Sequence, residues 1–266
     1  MRTTHWLMTA ILGLLLTGCA GIHTAPTPDV RQALAPTGKL RVGLILGVPA
    51  QVMRDSASGE MKGVAFDLGK EFARRLGVPF EPVLYPSIGA LLDGGKSGNW
   101  DVAVVGFNPA RAKEWDLTAP HLEIELGYLV PGGSSISTLT EVDRPGIRVV
   151  VPAGGLSDRL LTTTIKVATL IRVPTLPDAL EMLKSGRADA FAGNKSSLFE
   201  MSDQLPGYRV LDGRFGTDRL AMAIPKGRDL GMAYARKFVE DANSEGLVKA
   251  AIERAGLRGA VAPPLQ

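Results

Sequence analysis

Residues 40–85, LRVGLILGVPAQVMRDSASGEMKGVAFDLGKEFARRLGVPFEPVLY, decide the fold of this chain. The segment opens with an apolar run of strand length at 40–46 and closes with a second at 80–85. Between the two runs, apolar residues recur at helical spacing: Ala65, Leu68, Phe72 and Leu76. This spacing predicts an amphipathic helix that ends at Gly77. A strand, a helix and a second strand in this order are typical of a parallel α/β sheet.

The same alternation of strand and helix patterns continues to the C-terminus. Further strands are expected over 101–107, 147–151, 188–192 and 219–224. Further helices are expected over 87–97, from about residue 157, over 177–184, and twice after residue 228. The fold class is therefore α/β. A shift in composition at 131–145, PGGSSISTLTEVDRP, indicates that one α/β lobe gives way to a second near residue 130.

Residues 1–18 have the features of a secretion signal. Arg2 supplies a short basic segment, and the apolar run WLMTAILGLLLT at 6–17 is shorter than the roughly 20 residues that span a hydrocarbon core. The run ends in LTGC at 16–19, which resembles the bacterial lipobox, and Cys19 is the only cysteine. We expect a signal peptide at 1–18 and a lipid on Cys19, which anchors an extracytoplasmic or periplasmic lipoprotein to the membrane. An ordinary signal peptide with an incidental cysteine is the alternative.

A spacer is expected over residues 19–38, because this stretch holds three prolines and has no strong periodicity. The composition of the whole chain, with 45% hydrophobic and 21% charged residues, is that of a folded globular protein. A net charge of +3, spread along the chain, gives no indication of nucleic-acid binding. Of the three histidines only His121 falls in the predicted folded part, which excludes a site built from His and Cys. We expect no metal and no cofactor.

Six short motifs stand in order along the chain: GKLRVG at 38–43, GVAFDL at 63–68, RRLGV at 74–78, WDV at 100–102, PARAK with DLTAP at 109–120, and SGRADA at 185–190. In these motifs and their order, the chain resembles bacterial extracellular solute-binding proteins of family 3 over about residues 38–256. The resemblance implies a periplasmic-binding-protein-like fold, with two parallel-rich α/β lobes joined by a two-strand hinge. It places lobe 1 at 39–130 plus 221–266 and lobe 2 at 131–220, with crossings near 127–130 and 219–224.

Candidate ligand-binding residues follow the carboxyl ends of strands, where open α/β sheets hold their ligands. They are Tyr85, Gly106, Phe107, Asn108, Arg111, Gly154, Gly155 and Asn194. In the family, the arginine that corresponds to Arg111 binds the carboxylate of the ligand. An exposed loop arginine is the alternative. The backbone N–H groups of Gly154 and Gly155 would hold the same carboxylate from lobe 2, or form a plain turn, and Tyr85 and Phe107 would offer rings for stacking, or belong to the core.

Asn194 departs from the family, whose amino-acid binders generally carry an aspartate at this position for the ammonium of the ligand. A neutral amide removes that charge pairing, so the sequence predicts a ligand with a carboxylate and no essential ammonium. Lys195 is interpreted as a surface residue, with a role as a second cation for the ligand as the alternative.

The sequence therefore predicts a monomeric, non-enzymatic receptor that captures a small carboxylate-bearing solute, an amino acid or related organic acid. It would deliver this solute to the permease of an ABC importer in the inner membrane. Two alternatives stay open: an enzyme of the dehydratase type on the same fold, for which Glu123 and Glu125 are the nearest acids, and a sensory lipoprotein that signals without transport.

Overall fold

The computed structural model describes residues 25–264, so the expected signal peptide and Cys19 lie outside the described residues. In chain order its strands are β1 (Leu40–Ile45), β2 (Met53–Arg54), β3 (Met61–Lys62), β4 (Phe80–Tyr85), β5 (Val102–Gly106), β6 (Trp115–Leu117), β7 (Leu122–Pro131), β8 (Arg148–Pro152), β9 (Thr169–Val173), β10 (Ala190–Asn194), β11 (Tyr208–Val210), β12 (Gly216–Pro225) and β13 (Ala260–Val261). Its α-helices are α1 (Pro28–Leu34), α2 (Val64–Leu76), α3 (Ile88–Lys96), α4 (Pro109–Glu114), α5 (Leu156–Thr164), α6 (Leu176–Lys184), α7 (Lys195–Gln204), α8 (Asp229–Ser244) and α9 (Leu247–Ala255). A 3₁₀ turn covers Leu139–Val142.

One mixed sheet runs through the whole fold in the order β4-β1-β5-β12-β7-β10-β8-β9. Pairing is parallel at the two ends, between β1 and its neighbours β4 and β5, and between β8 and its neighbours β9 and β10. Pairing is antiparallel in the middle, where β12 and β7 lie side by side. Each parallel end carries helices, so the expected pair of parallel-rich α/β lobes joined by two strands is observed.

Apolar residues cover both faces of each parallel end. Val102 and Val104 of β5 belong to one buried cluster, whereas the intervening Ala103 and Val105 belong to another. In the second lobe, Val149 and Val151 of β8 likewise lie in one cluster and Val150 in another. Because successive side chains of a strand point to opposite faces, this alternation shows that the central strands are buried on both sides.

The two crossing strands pair over residues 122–126 of β7 and 216–220 of β12. These positions precede the expected crossings at 127–130 and 219–224 by a few residues. Beyond them, residues 126–129 of β7 pair with β10 in the second lobe, and residues 220–223 of β12 pair with β5 in the first. The lobe boundaries at 130/131 and 220/221 stay predictions, and the pairing favours slightly earlier ones.

Helix α1 lies within the expected spacer at 19–38 and is packed onto the first lobe. Thr27 caps the helix by accepting a hydrogen bond from the backbone of Val30, and Pro28 occupies the first turn. Leu34 is fully buried, and the helix contacts α8. The expectation of a flexible spacer is therefore wrong for residues 28–35, because Leu34 and Ala35 bury apolar surface in the core.

The C-terminal helices α8 and α9 return to the first lobe, as the sequence predicts. Helix α9 packs on α2, and Arg254 pairs with Asp67 of α2 at 2.9 Å. After α9, β13 adds to β7 opposite Ile124 and Glu123. Within residues 25–264, no helix combines the length and apolarity needed to cross a membrane.

Candidate functional site

A cleft enclosing about 1010 Å³, continuous with bulk solvent, lies between the two lobes. The first lobe contributes residues from β1, the loop after it, α3 and β5, and the second contributes residues from β8, α5, α6 and β10. The crossing strand β12 closes the cleft from behind with Asp218 and Leu220. The charged side chains that line it, in the part of the chain that the structure describes, are Arg111, Arg159 and Asp218.

Arg111 projects into this cleft from the short helix α4. It is only 8% exposed, although it carries a full charge. One terminal nitrogen, Nη2, lies 3.4 Å from the carbonyl oxygen of Gly154 in the other lobe, and Nη1 is buried with no hydrogen-bond partner. Burial lowers the pKa of Arg111, and the nearby Arg159 lowers it further. A buried cation with an unused donor is a site that an anion would complete.

Asn108 positions Arg111, and the carbonyl of Gly106 in turn holds the side chain of Asn108. Asn108 is the N-cap of α4, where its side-chain oxygen accepts a hydrogen bond of 3.0 Å from the backbone of Arg111. Its side-chain nitrogen donates to the carbonyl of Gly106 at 3.0 Å. Gly106 itself lines the cleft, whereas Asn108 does not.

The loop after β8 faces Arg111 across the cleft, as the sequence predicts, but through a carbonyl group. The carbonyl of Gly154 receives both the contact from Arg111 and a hydrogen bond of 3.0 Å from Nη1 of Arg159. The backbone N–H of Gly154 is engaged by Asp158 at 2.9 Å, so it is not free for a ligand. Gly155 lines the cleft at the start of α5.

Asp218 is a buried carboxylate that the sequence analysis did not identify. It is 9% exposed and lies on β12 opposite Ile124. Asn194, at the end of β10, donates to it from Nδ2 to Oδ2 at 3.5 Å. Desolvation raises the pKa of Asp218, against the lowering effect of Asn194 and of the positive charges of Arg159 and Arg111. The neutral Asn194 therefore does not leave the cleft without a negative group, because Asp218 supplies one.

The fold leaves room for Asp218 at Gly106. A Cβ atom at position 106 would come within 3.0 Å of Oδ1 of Asp218, so a side chain there would crowd the carboxylate. The signal in the sequence is the polar run Thr217-Asp218-Arg219 at the start of a strand whose remaining residues are apolar. Its position inside the cleft follows from the pairing of β12 with β7 and β5, which are distant in sequence.

Tyr85 and Phe107 do not line the cleft, so the prediction that their rings stack on the ligand is not supported. The hydroxyl of Tyr85 packs on α3, where a Cβ atom at Gly94 would lie 2.2 Å from it. Phe107 is 41% exposed, with the guanidinium of Arg219 5.9 Å from its ring centroid. Side-chain alternation along β4 and the turn after β5 directs both rings away from the ligand space.

Lys195 is neither a surface residue nor a cation for the cleft. It is 8% exposed, and its Nζ donates to Glu125 at 2.8 Å. Glu125 also pairs with Arg214 at 2.9 Å, so both carboxylate oxygens are occupied outside the cleft. Both interpretations of Lys195 are therefore wrong, because Gly259 packs against its side chain and Glu125 binds its ammonium.

Gln51 adds a second incomplete polar group to the cleft wall. Its side-chain nitrogen donates to the carbonyl of Val104 at 2.9 Å, whereas its Oε1 is buried and has no donor. The cleft thus combines an unused cationic donor, an unused neutral acceptor and a buried carboxylate. Among residues 25–264 no group of three or more His, Cys, Asp or Glu side chains is arranged to hold a metal ion.

The chain crosses twice between two α/β lobes, which enclose a cleft with inward-facing charges. This is the architecture of proteins that close around a small molecule. The sequence profile of bacterial extracellular solute-binding proteins, family 3, matches residues 40–255. The chain belongs to this family, and the predicted periplasmic-binding-protein-like fold is confirmed.

Relatives agree with this assignment. A glutamine-binding protein of Geobacillus stearothermophilus is 21% identical over 246 residues, covering 83% of this chain and 92% of that protein. A structure of an amino acid ABC transporter substrate-binding protein from Streptococcus pneumoniae, bound to L-arginine, superimposes with a TM-score of 0.76 at 21% identity, covering 84% of this chain and 97% of that one. A membrane-bound lytic murein transglycosylase F of Alkalilimnicola ehrlichii is 25% identical over 86% of this chain, which corresponds to 47% of that enzyme.

Proposed function

We propose that this protein is the extracytoplasmic receptor of an ABC importer and captures a small carboxylate-bearing solute between its lobes. The observation that carries the proposal is Arg111, a buried guanidinium in the cleft whose Nη1 has no partner. Leaving such a group unpaired costs free energy, and a planar carboxylate is the group that its donors fit best. Arg111 is thus the proposed anchor for the carboxylate of the solute.

Closure of the lobes is supported by the position of Arg111 between them. Its side chain leaves the first lobe and reaches the carbonyl of Gly154 in the second. A contact of 3.4 Å is long for a hydrogen bond, and a carboxylate that bridged Arg111 and the start of α5 would strengthen the link. Bound solute would thereby hold the lobes together, which is the signal that a permease of the importer reads.

A thermal-shift screen of the mature domain with amino acids, keto acids and dicarboxylates tests the proposal. A solute at 100 times its Kd adds about 2.7 kcal/mol to the free energy of unfolding. Arg111→Met should abolish the shift, because the anion of the solute loses its partner. Arg236→Met, which removes an exposed arginine of α8, should leave the shift unchanged. A solute that stabilises wild type and Arg111→Met equally would contradict the proposal.

Small-angle scattering checks closure separately. Addition of the solute found in the screen should reduce the radius of gyration, since ligand in the cleft brings the lobes together. Identical profiles with and without a tightly bound solute would refute the closing motion.

Delivery to a permease, as opposed to signalling without transport, is tested by uptake of labelled solute in cells that lack the receptor.

The dehydratase-type alternative receives little support from the cleft. Glu125 is held outside it by Lys195 and Arg214, and Glu123 lies on β7 opposite Arg219 without lining the cleft. Asp218 is the acid that does line it, in the described part of the chain. We therefore propose a binding protein and no catalytic activity. Turnover of a bound hydroxy acid, abolished by Asp218→Asn, would reverse this conclusion.

A further inference from the structure

We propose that the solute is an acidic amino acid, with two carboxylates and one ammonium, recognised by Arg111, Arg159 and Asp218. The inference rests on the proposed function and adds the charge pattern of its ligand. It follows from three charged side chains that line one cleft and lack ion-pair partners within 4.0 Å among the described residues.

Arg159 is the second cation of the cleft. It lies on α5, is half-buried, and donates from Nη1 to the carbonyl of Gly154 at 3.0 Å. That carbonyl also receives the contact from Arg111, so two guanidiniums converge on one neutral acceptor. Each guanidinium has five N–H donors, so the shared carbonyl of Gly154 uses only a few of the donors that the two arginines offer. The unused donors of both side chains can hold two separate carboxylates.

The two guanidiniums repel each other, and the charge of Arg159 contributes to the lowered pKa of Arg111. Without a ligand, the cleft therefore holds two guanidiniums against the single carboxylate of Asp218 among the described residues. A ligand with a single carboxylate neutralises one of the two guanidiniums, whereas a ligand with two carboxylates neutralises both. Since a cleft walled by protein screens charge less than bulk water does, the second carboxylate adds affinity.

Asp218 is the complementary group for an ammonium. It is 9% exposed, and its hydrogen bond from Asn194, at 3.5 Å, is at the limit of the interaction. Gln51 lines the same cleft and has a buried side-chain oxygen without a donor. An ammonium has three donors and a positive charge, so it can satisfy a buried carboxylate and a neutral acceptor together.

Two simpler ligands leave the cleft incomplete. A monocarboxylate would pair with Arg111 and leave Asp218 to be balanced by Arg159 from beyond 4.0 Å. A neutral amino acid would pair with Arg111 and Asp218 and leave Arg159 without an anion. A ligand with a cationic side chain would meet no further carboxylate, because Asp218 is the acid lining the cleft in the described range. The acidic amino acid alone supplies a partner for each charge.

Calorimetry with matched probes tests the charge pattern. L-Glutamate carries all three groups, L-glutamine lacks the second carboxylate, and glutarate lacks the ammonium; L-aspartate with L-asparagine and succinate repeats the comparison at a shorter length. We expect the acidic amino acid of one series to bind at least tenfold more tightly than both of its partners. Arg159→Met should remove the preference over the amide, and Asp218→Asn should remove the preference over the dicarboxylate.

The control variant is Arg187→Met, which removes an arginine of the second lobe outside the cleft and should change none of these affinities. An amide that binds as tightly as its acid, with Arg159→Met unchanged, overturns the inference and leaves the proposed function intact. A dicarboxylate that binds most tightly overturns the role of Asp218. Absence of binding by all six probes overturns the inference. The proposed function is tested separately, and it fails if Arg111→Met retains the solute found in the wider screen.

Discussion

Asn194 donates its side-chain amide to the carboxylate of Asp218, and the two residues lie on strands β10 and β12, which flank β7 on either side. The pair combines two features of the cleft that are 24 residues apart in sequence. Position 194 carries an amide where a carboxylate would be expected, and position 218 supplies a carboxylate from the crossing strand. The negative charge of the cleft is therefore carried by β12 and not by β10.

Asn194→Asp should destabilise the protein at neutral pH, because it would place a second carboxylate about 3.5 Å from Asp218. Like charges in a shared buried site raise one pKa strongly, and we expect a loss of about 1–3 kcal/mol in the free energy of unfolding. With the folded pKa raised above the unfolded value, the loss is present at high pH and is relieved as the pH falls and the pair takes up one proton.

Urea unfolding at pH 7.5 and pH 5 measures this loss. Asn99→Asp, which adds a carboxylate at an exposed position of the first lobe, is the matched control and should change the free energy of unfolding little. A loss for Asn194→Asp that is the same at both pH values would show that the two carboxylates do not interact.

Much of the fold could be predicted from local pattern, since the periodicity of α2 and the apolar runs of β1, β4, β5 and β8 are properties of short segments. The position of Arg111 could also be predicted, because it follows the carboxyl end of a central strand. Helix α1 was missed although Thr27 and Pro28 form an ordinary helix start. Its packing on α8, some 200 residues later, is what keeps it folded.

The rest of the cleft depends on pairing between distant segments. Asp218 and Arg159 line the cleft because the fold places β12 and α5 opposite residues of the first lobe, which local sequence does not show. Tyr85 is the last residue of β4, as Gly106 is of β5, but a one-residue difference in register sends a side chain to the opposite face of the sheet. Local sequence therefore identifies which strand ends approach the ligand and does not fix which side chains enter the cleft.

Arg41 with Asp101 in the first lobe repeats the geometry of Arg148 with Asp189 in the second. In both pairs the arginine lies near the start of a central strand and hydrogen-bonds to both oxygens of the aspartate. It also donates to the carbonyl of the glycine three residues before that aspartate, Gly98 or Gly186. The segments KSGNWD at 96–101 and KSGRAD at 184–189 carry the two aspartates. The lobes thus share a structural repeat that a search for a short fixed period does not detect.

The two halves of this repeat should differ in their contribution to stability. Asp101 is fully buried and also pairs with Arg228 at 3.1 Å, whereas the side chain of Asp189 is 32% exposed. Asp101→Asn should cost about 3–5 kcal/mol, because it leaves two guanidiniums without their anion. Asp189→Asn should cost about 1 kcal/mol or less. Equal losses in urea unfolding would contradict this difference.

Cys19→Ser tests the predicted lipid anchor, which lies outside the described residues. Cys19 is the only thiol of the chain, so its loss should move the protein from the membrane pellet to the soluble extracytoplasmic fraction. The control variant Arg187→Met keeps the expected signal peptide and Cys19 intact, so it should remain in the membrane pellet. A Cys19→Ser protein that stays in the pellet at the size of the wild type would refute lipidation.

His121 should make the protein sensitive to mild acid. His121 directly precedes β7 and is 1% exposed, neither of its ring nitrogens has a hydrogen-bond partner, and burial lowers its pKa to about 4. In the unfolded chain the pKa of histidine is about 6.5, so the unfolded state binds the proton first as the pH falls. Stability is then full above about pH 6.5 and decreases through the window down to about pH 4, by about 3 kcal/mol in all.

His121→Leu isolates this contribution, since it replaces the titrating ring with an apolar side chain of similar length. Both ring nitrogens are unpaired, so the replacement breaks no hydrogen bond of the side chain. We expect the free energy of unfolding of the wild type to fall by about 3 kcal/mol more than that of His121→Leu between pH 7 and pH 4. Parallel pH profiles for the two proteins in urea unfolding would show that the ring is protonated, or reaches water, in the folded state.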